Sequence, residues 1–570
     1  MNTASVFILL LLGFFILAAL IGIRDRKRRE AKERDELRRA FGSIGDKEYP
    51  EGRYSQLKGY WERHTRAFSL DDITWHDLDM DLLFHEMDRT CSAAGEEYLY
   101  WLLRSPALEG SERDLSEQQI SLWREEEESL RLDVQQILRK YGKGGRYSVY
   151  EYLEMLASLP VRSLSKDLPA IVLPAVSVIV LFASRPVGVI CLLLSLCFGM
   201  VTYFRDKGMI APYLETVRFI LRLLACGRAL SGRMSGHTEA SACFAAELSL
   251  MGRSIRDFER FQRGSWLLLR ERDGSADPAS LLLDYLCILF HLDLIKFGSM
   301  QRQLREQELA LDDLITSIGR IDASVCIASY RKCLPVWCSP EPAEEGAPFV
   351  DYKGLYHPLL RDPVPNDFRA EGCTLLTGSN ASGKSTFLKA AAVCAILAQT
   401  IRTAPAADYR ARYMRIYTSM ALRDSLQGGE SYFIVEIRSL RRILDAARQD
   451  RENTPVLCCI DEVLRGTNTI ERISASTEIL HVLSGENMIV FAATHDLELT
   501  QLLEDDYENY HFSEEIVGED VRFSYKIEPG PARTRNAIRL LQAMGYDKEI
   551  VRRAGERAEK FLKNGVWEKI

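Results

Sequence analysis

The chain has 570 residues, a formal net charge of −8 and 27% charged side chains. That length leaves room for two to four domains, each with its own core, and the acidic balance excludes a globally basic nucleic-acid binder. The 13 cysteines are scattered, several inside apolar runs (Cys191, Cys197, Cys458, Cys459), no CxxC pair occurs, and Cys333 and Cys338 are too isolated for a zinc site. Reduced, mostly buried thiols are expected.

From Val6 to Ile23 the chain is an almost unbroken apolar run, VFILLLLGFFILAALIGI. A helix of that length nearly crosses a bilayer core. The leader Met1–Ser5 carries no basic side chain and no small-residue cleavage pattern follows, so residues 1–23 are predicted to be an anchor rather than a cleaved signal. Arg24, Lys27, Arg28, Arg29, Lys32, Arg34, Arg38 and Arg39 come next, interleaved with acids. They predict a charged juxtamembrane helix within 24–70 and a cytoplasmic body. The acids between Asp71 and Asp81 lack the spacing of a calcium loop, and helix caps and a polar surface explain them better. Apolar residues at three- and four-residue intervals then predict a helix over Leu82–Leu103, ending at Arg104-Ser105-Pro106. Residues 71–167 form the first part of a helical core.

A second apolar block, 168–204, is split by Ser184-Arg185-Pro186. Arg162 and Lys166 precede it, and Arg205 and Lys207 follow it. Both ends are thus expected on the cytoplasmic side of a transmembrane hairpin, the alternative being a buried helical hairpin of a soluble domain. Three spans are counted in all. Residues 205–340 continue the helical region with long amphipathic patterns, including LLLDYLCILFHLDLIKFGSMQRQLREQELALDDLITSIGRID. His291 within it is expected to be a satisfied core residue rather than a ligand. No period of 20–50 residues repeats. Proline-rich residues 335–348 mark a linker into the last domain, 345–570.

That domain carries the chemistry. The run Thr374–Thr377 leads into Gly378-Ser379-Asn380-Ala381-Ser382-Gly383-Lys384-Ser385-Thr386, followed by a helix-forming stretch. Strand, glycine-bracketed loop and helix in this order make a P-loop, whose backbone N–H groups and helix N-terminus cradle phosphates. Lys384 would reach the β- and γ-phosphates, and the Ser385 hydroxyl would sit on Mg²⁺. A strand-like run Val456–Ile460 delivers Asp461 and Glu462. Asp461 is the candidate for the Mg²⁺ shell, and Glu462 for orienting or deprotonating the attacking water. Another apolar strand, Met488–Ala493, delivers Thr494-His495-Asp496 and places His495 to sense the γ-phosphate. Gly428-Gly429-Glu430-Ser431, ahead of a helix bearing Glu436, offers N–H groups and the Ser431 hydroxyl to a phosphate.

The set TGSNASGKST, DSLQGGESYFIVEI, CCIDEVLRGTNTIER and FAATHD, in this order, resembles the ATPase domain of the MutS mismatch-repair family. His357-Pro358 and Pro529-Gly530 are similar too. MDRTCSAAGEEYLYWLLRSPAL (87–108) resembles the family's helical core, and IGRIDASVCIASYRKCLPVW (318–337) the end of its lever helices. The resemblance implies an ATP- and Mg²⁺-dependent, ABC-type ATPase working as a homodimer. Each nucleotide would lie between one subunit's P-loop and the other's Ser431 loop, with Gly466-Thr467-Asn468 across the same interface. Departures are Ser379, Ala381 and Ser382 where the family has Pro, Met and Gly, and Glu471-Arg472 after the GTN loop. No counterpart to the family's N-terminal mismatch-sensing domain is expected. The fold expected is therefore multi-domain: transmembrane helices, an all-α core and lever region, and a C-terminal α/β P-loop ATPase domain. The function expected is a membrane-bound, mismatch-repair-like ATPase with DNA as a candidate partner. Its alternatives are an ATP-driven membrane switch acting on a protein and, more remotely, an ABC transporter. The three apolar segments contain no intramembrane charge of the kind a transport path needs.

Overall fold

The structure, a computed structural model, describes residues 3–45, 49, 52–142, 148–158, 161–269, 278–379, 382–420, 432–448, 454–485, 487–517, 520–532, 538, 541 and 544–567. It is mostly helical, with an α/β sheet domain toward the C-terminus. Two compact units divide it. One comprises Met1–His64, Asp88–Trp101 and Gln118–Ser329, and the other Thr65–Met87, Leu102–Glu117 and Tyr330–Ile570.

Among its described residues the first unit's regular structure is helical. One helix, Thr3–Ala40, carries both the N-terminal apolar run and the charged stretch after it. Its basic half is held by ion pairs from Arg34 to Asp133 (2.5 Å) and from Arg38 to Glu128 (3.1 Å), on the helix Glu128–Gly142. Asp322 accepts from the backbone N–H groups of Cys91 (3.0 Å) and Ser92 (2.7 Å). A Cβ at Gly95 would fall 2.2 Å from that carboxylate, so only glycine lets the helices Ala93–Arg104 and Glu308–Cys333 approach there.

The apolar block folds as two helices, Leu168–Ala183 and Arg185–Ile210, packed on each other through a turn at Ser184. Their burial is inverted. Ala170, Pro174 and Ser177 of the first, and Gly188, Ser195, Gly199 and Tyr203 of the second, are buried. Ile179 (69% exposed), Phe182 (89%), Leu194 (65%) and Val201 (68%) face outward. The buried hydroxyls bond back to their own helices, Ser177 to the Leu173 carbonyl (2.7 Å) and Ser195 to that of Leu192 (2.8 Å). Charge gathers at the open end of the hairpin. Arg162 pairs with Asp167 (2.5 Å) and Asp206 (2.8 Å), Lys207 pairs with Asp293, and the Tyr203 hydroxyl donates to Asp293 (3.0 Å).

His291 is buried in the same cluster. Its Nε2 donates to the Gly199 carbonyl (3.0 Å), and Nδ1 lies 2.9 Å from Asp167. Its backbone is left-handed, φ 54°. The stretch expected to be long and amphipathic is broken at His291 and again at Gln307, into Pro278–Phe290, Leu292–Glu306 and Glu308–Cys333.

The second unit is built on two sheets. Strands β1 (Val350–Leu355), β2 (Asn366–Ala370) and β4 (Asp408–Ala411) form an antiparallel sheet in the order β2-β1-β4. The larger sheet contains β3 (Cys373–Thr377), β5 (Arg415–Ser419), β6 (Val456–Asp461), β7 (Met488–Ala493), β8 (Tyr507–Val517) and β9 (Asp520–Pro529). Its order is β5-β6-β7-β3-β8-β9, parallel except for the β8–β9 pair. Strands β3, β6 and β7 are buried along their whole length. Continuous apolar runs of this kind suit parallel strands covered on both faces.

Helical residues from early in the chain complete this unit. Asp77 accepts from the Thr418 hydroxyl (2.8 Å) and the Met420 N–H (2.9 Å), the Gln399 amide donates to the Ala107 carbonyl (3.0 Å), and Arg331 forks onto Glu117 (2.5 and 2.9 Å). The acids of 71–81 have structural partners: Asp71 caps the helix Asp72–Asp77 through Thr74 N–H (2.8 Å), Asp79 pairs with Lys389, and Asp81 accepts from Trp75 (2.7 Å). By length and composition alone, Arg185–Ser235 and Lys384–Ile401 are the two described stretches apolar enough to cross a membrane. The second is a buried core helix of the sheet domain.

Candidate nucleotide site

In a parallel sheet the loops after the strand C-terminal ends meet on one edge, and ligands bind there. Strands β6, β7 and β3 are neighbours, so the loops after them bring together three motifs that are far apart in sequence. The loop after β3 begins at Gly378 (φ 143°) and ends at Gly383 (φ 111°), the N-cap of the helix Lys384–Ile401. A Cβ at Gly378 would meet both the Phe512 carbonyl and the Ser382 hydroxyl at 3.0 Å. Lys384 is buried, with Nζ donating to the carbonyls of Gly378 and Ser379 at 2.8 Å each. Burial lowers its ammonium pKa, although Asp461 and Glu462 act in the opposite direction. Ser385 and Thr386 are exposed on the first turn, and Ser379 is hydrogen-bonded to Glu514. Asn380 and Ala381 lie outside the described residues, as does Ser431.

Asp461 ends β6 and is buried. Glu462 follows in a left-handed conformation (φ 59°), its N–H donating to the Ala493 carbonyl at the end of β7 (2.9 Å). Left-handed backbone at a non-glycine residue is strained and persists where surroundings over-determine it. His495 Nε2 is 2.8 Å from Glu462 Oε1, and Arg465 Nε is 2.5 Å from Oε2. Burial alone would raise the Glu462 carboxyl. The His495 hydrogen bond and the charges of Arg465 and Lys384 outweigh it, and hold the pKa below its ordinary value. The carboxylate is therefore ionised at neutral pH.

Beside Gly383, Thr386 and Phe387 opens a cavity of about 340 Å³, lined also by Tyr356, His357, Asn366 and Tyr525. Burial drives the His357 pKa down to about 4, so the ring is neutral, and its Nε2 has no hydrogen-bond partner. The Ser382 hydroxyl in the loop is likewise buried and unpartnered. Orphaned polar atoms in a loop and in the cavity beside it fit a ligand with polar groups at both ends.

Residues 374–562 match the family model for MutS domain V. The DNA mismatch repair protein MutS of Natronomonas pharaonis is 34% identical to this chain over 325 residues, covering 53% of this chain and 35% of that protein. The MutS of Thermus aquaticus is 34% identical over 203 residues, 35% of this chain and 24% of the relative. That of Lachnoclostridium phytofermentans is 28% identical over 297 residues, 49% and 31%. Residues 374–562 are thus similar to MutS domain V, and about half of the chain is similar to MutS proteins. The chain spans between 24% and 35% of the length of these relatives.

Within the stretch similar to MutS domain V the structure draws Lys384, Asp461, Glu462 and His495 to one sheet edge. It adds residues to which no role was assigned from the sequence. Arg465 pairs with Glu462, and the buried Glu436 accepts from the backbone N–H of Leu464 (2.6 Å), fixing the loop after β6. Arg472 forks onto Asp496. The signal for Arg465 was its place three residues after Glu462; the others become neighbours only through the fold.

Proposed function

We propose that this protein is a membrane-bound, MutS-like ATPase whose hydrolysis is coupled to DNA or to a protein partner. The observation that carries the ATPase reading is the meeting of Lys384, Asp461, Glu462 and His495 around the glycine-bracketed loop. ATP would supply the phosphoanhydride, and Mg²⁺, when bound, would supply charge stabilisation to the phosphates. The backbone N–H groups of the 378–386 loop bind the phosphates, including those of Asn380 and Ala381 in this reading. Lys384 exchanges its two carbonyl partners for phosphate oxygens. Ser385 and Asp461 would hold the metal shell. Glu462 orients a water and accepts its proton, while His495 keeps the carboxylate aimed and reports on the terminal phosphate. The cavity at His357 and Tyr356 receives the base. Ser431 of a second copy would close the site, which makes a homodimer part of the proposal.

Purified full-length protein should hydrolyse ATP, and Glu462→Gln should bind it while turning over slowly, accumulating as an ATP-dependent dimer. Hydrolysis by Glu462→Gln at the wild-type rate would remove the assignment.

Membrane attachment rests on the inverted burial of the hairpin: large apolar side chains outward, small and hydroxyl side chains inward, as packed transmembrane helices have them. The protein should remain with membranes on alkaline extraction, and should do so after deletion of residues 1–23. DNA enters through the relatives, which are named mismatch-repair proteins. Contacts made only to phosphates position a protein without reading sequence. Binding should therefore weaken steeply with salt, with homoduplex and mismatched duplex within a few-fold of each other. A preference for mismatches of about tenfold, roughly 1.4 kcal/mol, would instead make mismatch recognition the function.

A further inference from the structure

The helix Thr469–Leu483 starts from the loop Gly466-Thr467-Asn468, with the Asn468 side chain accepting from the Glu471 N–H (3.0 Å). In its first turn Arg472 donates through Nε to one oxygen of Asp496 (2.8 Å) and through Nη2 to the other (2.6 Å). The side chains are only 25% and 15% exposed. A fork onto both oxygens fixes the carboxylate in plane as well as in position, which a single contact from a flexible cation does not. Asp496 is the residue after His495, and its own N–H donates to the Thr494 hydroxyl (3.0 Å). The Thr494 N–H is tied in turn to the Leu376 carbonyl of β3 (2.9 Å). The segment carrying His495 is thus pinned on one side by the sheet and on the other by Arg472.

We infer that Arg472 is a positioning residue: through Asp496 it holds His495 on Glu462, and so links the exposed end of the helix Thr469–Leu483 to the hydrolytic carboxylate. An isolated surface pair would matter little. This one adjoins the imidazole that contacts Glu462, where a displacement of the ring withdraws a hydrogen bond from the base. Movement of the 466–468 loop would reach the reacting water by this route. The inference rests on the proposed role of Glu462.

The test uses the detergent-solubilised full-length chain with ATP and Mg²⁺, comparing wild type, Glu462→Gln, Arg472→Ala, Arg472→Lys and Asp496→Asn. Arg472→Ala should lower kcat by about tenfold or more, the scale that misplacement of a catalytic group produces. KM should stay within roughly threefold, because the lost interaction serves the hydrolytic step rather than binding. Arg472→Lys, which keeps the charge without the fork, should fall between wild type and Arg472→Ala. A wild-type kcat in Arg472→Ala, or a fall in kcat matched by an equal loss of affinity, overturns the inference. Should Arg472→Ala fail to fold, Asp496→Asn carries the same expectations, and a wild-type kcat there overturns the inference equally. If Glu462→Gln hydrolyses ATP normally, the site assignment itself falls; if it is inactive while Arg472→Ala is not slowed, the positioning role alone falls.

Discussion

Strands β3, β6 and β7 bury every residue they contain, with Leu375, Ile460 and Val490 fully covered. The helices Leu168–Ala183 and Arg185–Ile210 instead bury Pro174, Ser177, Ser195 and Gly199, while Ile179, Phe182, Leu194 and Val201 lie open. Both regions are strongly apolar, so composition does not separate them. Direction does. Around the sheet, apolar surface is removed from water by packing inward, which stabilises it by about 25 cal/mol per Å² buried. Along the hairpin the contact is made by small side chains and by hydroxyls bonded to their own backbone, and the large apolar groups point away from it. Soluble monomers rarely expose apolar patches so extensive, which is why the proposed function places this surface in a membrane. Apolar content alone, which qualifies both Arg185–Ser235 and the buried helix Lys384–Ile401 by the same criterion, therefore says less than which face is buried.

The largest effect separates chemistry from attachment. Lys384→Ala should reduce ATP hydrolysis by about a hundredfold or more, because it removes the buried cation proposed to meet developing charge on the phosphates. Its membrane fractionation should match wild type. Release of this variant from the membrane would mean that the two regions are not independent in function.

Next, lysine at the outward hairpin positions should weaken attachment. Ile179→Lys and Leu194→Lys should each cost about 2.5–3.5 kcal/mol if they lie near the centre of a bilayer. At a water-facing surface the same changes would stay within about 0.5 kcal/mol. The readout is the fraction retained after alkaline extraction, in a background lacking residues 1–23. Full retention of both would break the comparison.

A smaller effect concerns helix contact. At Gly188 a Cβ would fall 2.3 Å from the Leu181 Cα, whereas at Gly372, before β3, nothing lies within 4 Å. Gly188→Ala should destabilise the hairpin by about 1–3 kcal/mol, the usual range for overpacking. Gly372→Ala should be silent by the same measure, the midpoint of protease resistance in detergent. Equal midpoints would mean that the helices at Leu181 and Gly188 are not in close contact.

The smallest expected effect is the pH dependence at the hairpin base. Burial lowers the pKa of His291, but its hydrogen bonds to Asp167 and the Gly199 carbonyl raise it by more, so the net direction is up from 6.5. A raised histidine stabilises the folded state fully below its unfolded pKa and loses that contribution as pH rises through the folded value. The difference in thermal midpoint between wild type and His291→Gln should therefore be greatest below about pH 6.5 and shrink toward alkaline pH. A difference that grows with pH would contradict the assignment.

The strand–loop–helix around Lys384, and the strands delivering Asp461 and His495, were legible because each is contiguous and locally patterned. The hairpin's two halves were legible as apolar runs; its inverted burial was not, since a run carries no face until it has a neighbour. The attachment of Asp77 to Thr418, and of Ala107 to Gln399, joins residues hundreds of positions apart that no local pattern connects. The break at His291 was hidden for the same reason. The His291 ring is bonded to Asp167 and to the Gly199 carbonyl, both about a hundred positions away. Arg472 and Asp496, ordinary surface charges in a string of letters, acquire a role only when the sheet sets their loops side by side.

The most direct measurement uses a carbene-generating lipid probe in native membranes, with insertion sites read by mass spectrometry. Helices Leu168–Ala183, Arg185–Ile210 and Lys384–Ile401 are compared in one sample, and all three are apolar. The account predicts labelling at Ile179, Phe182, Leu194 and Val201, and none along Lys384–Ile401. An unlabelled hairpin, or equal labelling of the helix Lys384–Ile401, would contradict it.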